Sequence, residues 1–232
     1  MPAAQPPFRL TREAILSDSI RVLVQAADPE IRLPTPEEHR ASIASILAQR
    51  PDGGGDVWLF GYGSLMWNPL IFFEEKRVAT ARGYHRCFCL WSHMGRGTVK
   101  KPGLMLGLER GGLCRGVAYR IAEPQAAHEL EVVWRREMLS GAYTPRWLRL
   151  DSKEGRVHAL AFRVNQTHAR YAGRLPEERI IATIAEAIGP LGACATYLFN
   201  TVTHLEELGI HDARLVRLRD LVAAKMGRAA AE

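Results

Sequence analysis

Cysteine is scarce in this 232-residue chain, and its four thiols, Cys87, Cys89, Cys114 and Cys194, include no C-x-x-C pair and no histidine at zinc-ligand spacing. No metal site is therefore expected, and the thiols read as reduced core residues rather than disulfides. No apolar run approaches the roughly 20 residues that cross a bilayer, and the start MPAAQPPFRL has neither a basic n-region nor a long apolar h-region. A cytoplasmic location with no membrane partner is the expectation. Internal repeats and low-complexity tracts are absent too. The familiar glycine motifs also fail. In Gly61-Tyr62-Gly63-Ser64-Leu65-Met66, methionine stands where G-x-G-x-x-G and G-x-S-x-G need glycine, and no P-loop Gly-Lys-Ser/Thr follows. Dinucleotide binding and serine-hydrolase chemistry are both disfavoured.

What is present is an ordinary globular composition, 47% hydrophobic and 24% charged, enough to bury a substantial core. Thirty-one Lys and Arg against 25 Asp and Glu leave a formal charge of +6, and the excess is localised. Residues 57–121 hold ten basic side chains and three acidic ones. Such a segment suits nucleic acid, an acidic small molecule, or neither.

Helical patterning covers Thr11 to Ala27 and then Thr35 to Gln49, where Thr35, Pro36 and Glu38 have the spacing of a capped helix start with a capping box. Pro51-Asp52-Gly53-Gly54-Gly55 reads as a hinge and divides a 1–55 helical extension from a 56–232 domain. Strand-like runs follow at Val57–Phe60, Arg77–Trp91, Leu104–Leu108, Leu113–Ile121, Trp147–Leu150 and Val157–Val164. The third and fourth flank a hairpin turn at Glu109–Gly112. A helix is expected over 124–139, and three more at the C-terminal end. The fold class is α+β, a small mixed or antiparallel barrel flanked by helices.

Two places carry candidate chemistry. In the loop after the first strand, two glycines around Tyr62 let backbone N–H groups approach a ligand's oxygens, with a strand-ending turn and an inward Tyr62 as the alternative. In the 124–139 helix, Ala126, Ala127, Leu130, Val133, Trp134 and Met138 share an arc of about 140°, with Glu137 near its middle. Glu129, Glu131, Arg135 and Arg136 fall on the expected solvated face. A core-facing carboxylate is costly unless paired or protonated, and a raised pKa suits a general base. The competing reading is a structural glutamate, or an exposed helix end beside Gly141. Arg96, Lys100 and Lys101 sit on a glycine-rich loop where they meet either substrate or water. Tyr143 follows Glu137 closely enough to be core or site.

These residues resemble, in order and over nearly the whole chain, the ChaC-like γ-glutamylcyclotransferases specific for glutathione. The resemblance rests on Val57–Pro69, Gly83-Tyr84-His85-Arg86, Arg96-Gly97, Pro102-Gly103, Gly116–Arg120, Trp134–Met138 and Gly189–Gly192. It implies a barrel flanked by helices, a catalytic Glu137, a substrate loop of Leu59, Phe60, Gly61, Tyr62, Gly63, Ser64 and Leu65, and further substrate contacts from Tyr143 and Arg96. The 1–55 segment is similar to the extension of the longer bacterial members. The implied reaction closes the glutamyl arm of glutathione on itself, giving 5-oxoproline and Cys-Gly with no cofactor and no protein nucleophile. Rival readings are a cyclotransferase for other γ-glutamyl compounds, a basic nucleic-acid-binding module, and a pseudoenzyme serving as an interaction partner. No nucleic-acid partner is expected, because the aromatics do not alternate with the cations. Oligomeric state is not legible.

Overall fold

The computed structural model describes residues 8–229. Five strands form a closed barrel in the order β1-β3-β2-β4-β5. They are β1 (Val57–Gly61), β2 (Glu75–Ser92), β3 (Gly103–Ile121), β4 (Tyr143–Ser152) and β5 (Gly155–Val164). Neighbours are antiparallel except β1 and β5, whose parallel pairing closes the ring. β1 lies between two partners and is buried along its length, which explains its unbroken apolar sequence.

One expectation is corrected. Leu104–Leu108 and Leu113–Ile121 are not two strands around a hairpin but parts of the single strand β3. Gly111 and Gly112 have φ of 105° and 73°, as a turn would require. They lie opposite Gly83 (φ 77°), where the β2–β3 register shifts between Arg82 and Tyr84. The glycines bend both strands in a bulge instead of reversing one, and bulges of this kind help a sheet curl into a barrel.

Helices surround the barrel: α1 (Arg12–Leu16), α2 (Ser19–Ala27), α3 (Pro36–Ala48), α4 (Glu123–Glu137), α5 (Glu177–Glu186), α6 (Cys194–Glu207) and α7 (Ala213–Ala229). A short hairpin, β6 (Ile188–Gly189) with β7 (Gly192–Ala193), separates α5 from α6. The expected first helix is broken in two at Asp18, which takes the left-handed conformation (φ 55°). α3 has the expected capping box, with Thr35 Oγ1 accepting from the Glu38 N–H and Glu38 Oε2 from the Thr35 N–H. Ile43 and Ile46 of α3 join the main hydrophobic cluster of the barrel. The Trp134 and Trp147 indoles donate to Ser42 Oγ (3.1 Å) and to the Ile46 carbonyl (2.7 Å). Among the described residues, no helix is long and apolar enough to cross a membrane.

Candidate active site

Glu137 is the last residue of α4, and its side chain is 14% exposed. Arg136 Nε stands 2.8 Å from Glu137 Oε1 in an ion pair, and the same guanidinium donates to Ser64 Oγ at 2.6 Å and to the Asn68 carbonyl. One guanidinium therefore holds both the carboxylate and the loop after β1. Burial pushes the Glu137 carboxyl above the usual carboxylate range, and Arg136 opposes that shift without cancelling it. Arg136 is itself only 6% exposed, which corrects its expected place on a solvated face. The other correction on this helix is Glu129. It is buried at 2% exposure, where it accepts two bonds from Arg12 at 2.6 and 2.7 Å and one from the Phe72 N–H. The N-terminal helices cover that side of α4, a second layer to which helical period is blind.

Glu137 faces a cavity of about 280 Å³. Ser64, Trp67, Arg96, Tyr143, Arg170 and Tyr197 are among the residues lining it. A second space of about 20 Å³ lies under the loop, bounded by Tyr62, Gly63, Ser64 and Leu65, and it shares Ser64, Met105, Glu137, Tyr143 and Tyr197 with the first. The two spaces meet at the carboxylate. Gly63 is tightly packed there, since a Cβ added to it would stand 2.9 Å from the Tyr197 hydroxyl. Tyr143 opens β4 and donates its hydroxyl to the Leu106 carbonyl at 2.9 Å.

The proposed loop is shorter than expected. Leu59 and Phe60 have no exposure and, like Gly61, line neither cavity, because β1 sits inside the barrel wall. Tyr62 packs inward and donates to the Phe162 carbonyl at 2.6 Å. Below it, buried Arg86 donates to the Tyr62 carbonyl at 2.7 Å and pairs with Asp212 at 3.1 Å.

Arg96 lines the cavity, held by a close crossing of backbones. A Cβ on Gly97, Gly103 or Gly189 would collide with main-chain atoms of the crossing segments, and the Leu191 N–H donates to the Gly95 carbonyl at 2.9 Å. Arg170, which no sequence pattern singled out, is fixed by the Trp91 carbonyl (2.7 Å) and Ser140 Oγ (2.9 Å). Among the described residues neither Arg96 nor Arg170 has a carboxylate partner, and burial lowers the pKa of both. Of the ten cations in 57–121, Arg96 alone lines this cavity. Arg77, Arg82, Arg86, Lys101 and Arg120 pair with acids elsewhere. The local charge is set by Arg96, Arg136 and Arg170, two of them from outside the basic segment.

His85, Cys87 and Glu109 bring metal-ligand atoms within 4.8 Å of one another, on β2 and β3. None of the three lines either cavity, and Glu109 accepts a hydrogen bond from the Tyr171 hydroxyl.

A closed five-stranded mixed barrel with a buried, helix-borne carboxylate at a basic cavity has the γ-glutamylcyclotransferase fold. It superposes on the crystal structure of a glutathione-specific γ-glutamylcyclotransferase from yeast with a TM-score of 0.68 at 20% identity, covering 74% of this chain and 97% of that one. Within that fold class the chain belongs to the ChaC-like protein family, whose model matches residues 57–225. Glutathione-specific gamma-glutamylcyclotransferase of Escherichia coli (strain K12) is 43% identical over 204 residues, 88% of this chain and 87% of that protein. Glutathione-specific gamma-glutamylcyclotransferase 1 of Homo sapiens is 31% identical over 77% of this chain and 85% of its own length.

Proposed function

We propose that this chain is a glutathione-specific γ-glutamylcyclotransferase. The observation that carries the reading is the Glu137 carboxylate, which lines both spaces beside a basic wall. Glutathione matches that wall chemically: it has two carboxylates for Arg96 and Arg170, and an α-ammonium for Glu137. The α-nitrogen attacks the γ-glutamyl carbonyl carbon, so a new C–N bond closes the five-membered ring while the C–N bond to cysteine breaks. Glu137 takes a proton from the α-ammonium and returns one to the departing amine, leaving 5-oxoproline and Cys-Gly. Holding the arm in its attack geometry replaces an external nucleophile, and N–H groups around Gly63 and Ser64 stabilise the developing oxyanion. The pKa of Glu137 is raised toward the operating pH, which suits a group that must both accept and donate a proton. Four free thiols fit a reducing cytoplasm, where glutathione is abundant.

The test is release of 5-oxoproline from glutathione as sole substrate, run beside γ-glutamyl-alanine and γ-glutamyl-lysine. Turnover confined to glutathione is expected. Equal turnover of all three would replace the specific reading with a general γ-glutamyl one, and no turnover of any would sink it.

A further inference from the structure

The catalytic cavity is not built by the barrel domain alone. Phe8, Leu10, Ile20, Leu23 and Val24 form one of its walls, and all five are apolar. The polar groups, Glu137, Arg96, Arg136 and Arg170, come from residues after 57. The segment is fastened to three features that border the cavity. The Phe8 N–H donates to the Pro190 carbonyl in the β6–β7 hairpin at 2.8 Å. Asn68 Nδ2 donates to the Leu10 carbonyl at 3.2 Å, and Asn68 is also the residue whose carbonyl holds Arg136. Arg12 grips Glu129 on α4 and donates to the Leu70 carbonyl at 2.9 Å. The family model begins at residue 57, so this wall is additional to the family's common part. The match to the E. coli relative spans 204 residues and so extends beyond 57–232 into the chain before residue 57.

Resting on the glutathione reading above, we infer that residues 8–24 complete the substrate site, with Ile20 and Leu23 packing on the leaving Cys-Gly half and setting its permitted size. The bond to be cleaved must lie at Glu137. The space under the Tyr62–Leu65 loop has room for only one small group, so the leaving half extends into the larger cavity, against the apolar wall. At about 280 Å³ that cavity is near the small end of ligand sites, roughly 300–1,000 Å³. A bulky group on the cysteine sulfur would meet the apolar wall.

Steady-state kinetics on the full chain test this, with glutathione and S-benzylglutathione as substrates. Trimming the wall with Ile20→Ala and Leu23→Ala together should raise KM for glutathione roughly tenfold, the scale of lost apolar contacts in a pocket, with kcat within about threefold. The same variant should gain activity toward S-benzylglutathione relative to glutathione. Filling the wall with Leu23→Trp should raise KM for glutathione by obstruction, and Leu23→Met should restore it to near wild type. If the trimmed variant misfolds, as judged by circular dichroism, the Trp and Met variants decide the matter, because Leu23 is only half-buried. Wild-type turnover of glutathione with KM and selectivity unmoved by these substitutions would overturn the wall and leave the functional reading standing. Failure of wild type to turn over glutathione at all would overturn both.

Discussion

At the residue scale the proposed chemistry rests on a carboxylate and a guanidinium adjacent in sequence, Glu137 and Arg136. Glu137→Gln preserves the shape but removes the proposed base, so 5-oxoproline release should fall by about 10²-fold or more. The folded-state pKa of Glu137 is raised, so the folded protein retains a proton that the unfolded chain has already lost. Stability therefore declines as pH climbs from the ordinary carboxylate range through the raised value, and above that window the buried charge is a standing cost. Glu137→Gln should consequently melt no lower than wild type at pH 7, read by a thermal scan alongside the activity loss. In wild type, kcat/KM should drop on acidification with a midpoint above the usual carboxylate value, and that limb should be missing from the residual rate of the variant. Glu137 was legible in the sequence because helical period places it among apolar residues. Arg136 was not, because the same period puts it at the margin, and only the loop carrying Ser64 and Asn68 turns that margin into an interior.

At the scale of elements, α4 is decisive. Its burial extends past the stripe seen in the sequence, to Glu129 and Val132, because the barrel covers one side and the N-terminal helices another. Glu129 is tolerable there only with Arg12 beside it. Removing the guanidinium by Arg12→Met should destabilise the fold by roughly 3 kcal/mol, since it strands a buried charge. A lowered urea midpoint with an unchanged slope would show it. The cap of α3 is a smaller case: Thr35→Ala removes the acceptor for the Glu38 N–H and should lower stability by about 1 kcal/mol in the same experiment. That cap was readable from four consecutive residues because its partners are local. The break at Asp18, which pairs with Arg135 of α4, and the bulge at Gly111-Gly112 opposite Gly83 were not, since their neighbours are distant in sequence.

For the whole molecule, thiols and charge follow from how the barrel is enclosed. Cys114 and Cys194 are buried, and burial pushes each thiol up to about 11, while Cys89 is buried as well. A disulfide-exchange reagent at pH 8 should leave these three unmodified in the native protein and titrate all four after denaturation. The basic excess has a different fate from the one its sequence position suggests. It is dispersed over ion pairs around the barrel, and the cavity's cations come from three separate stretches, with Arg96 after β2, Arg136 at the end of α4 and Arg170 after β5. By itself the sequence determined the element types, the α+β barrel class, the family resemblance, and which carboxylate stands on a core-facing stripe. All of these are carried by residues a few positions apart, where period and capping act. Only the tertiary structure decided which part of the loop meets the cavity, which arginines line it, and that residues 8–24 wall it. Those contacts join residues as far apart as Phe8 and Pro190, and no local pattern encodes a partner at that distance.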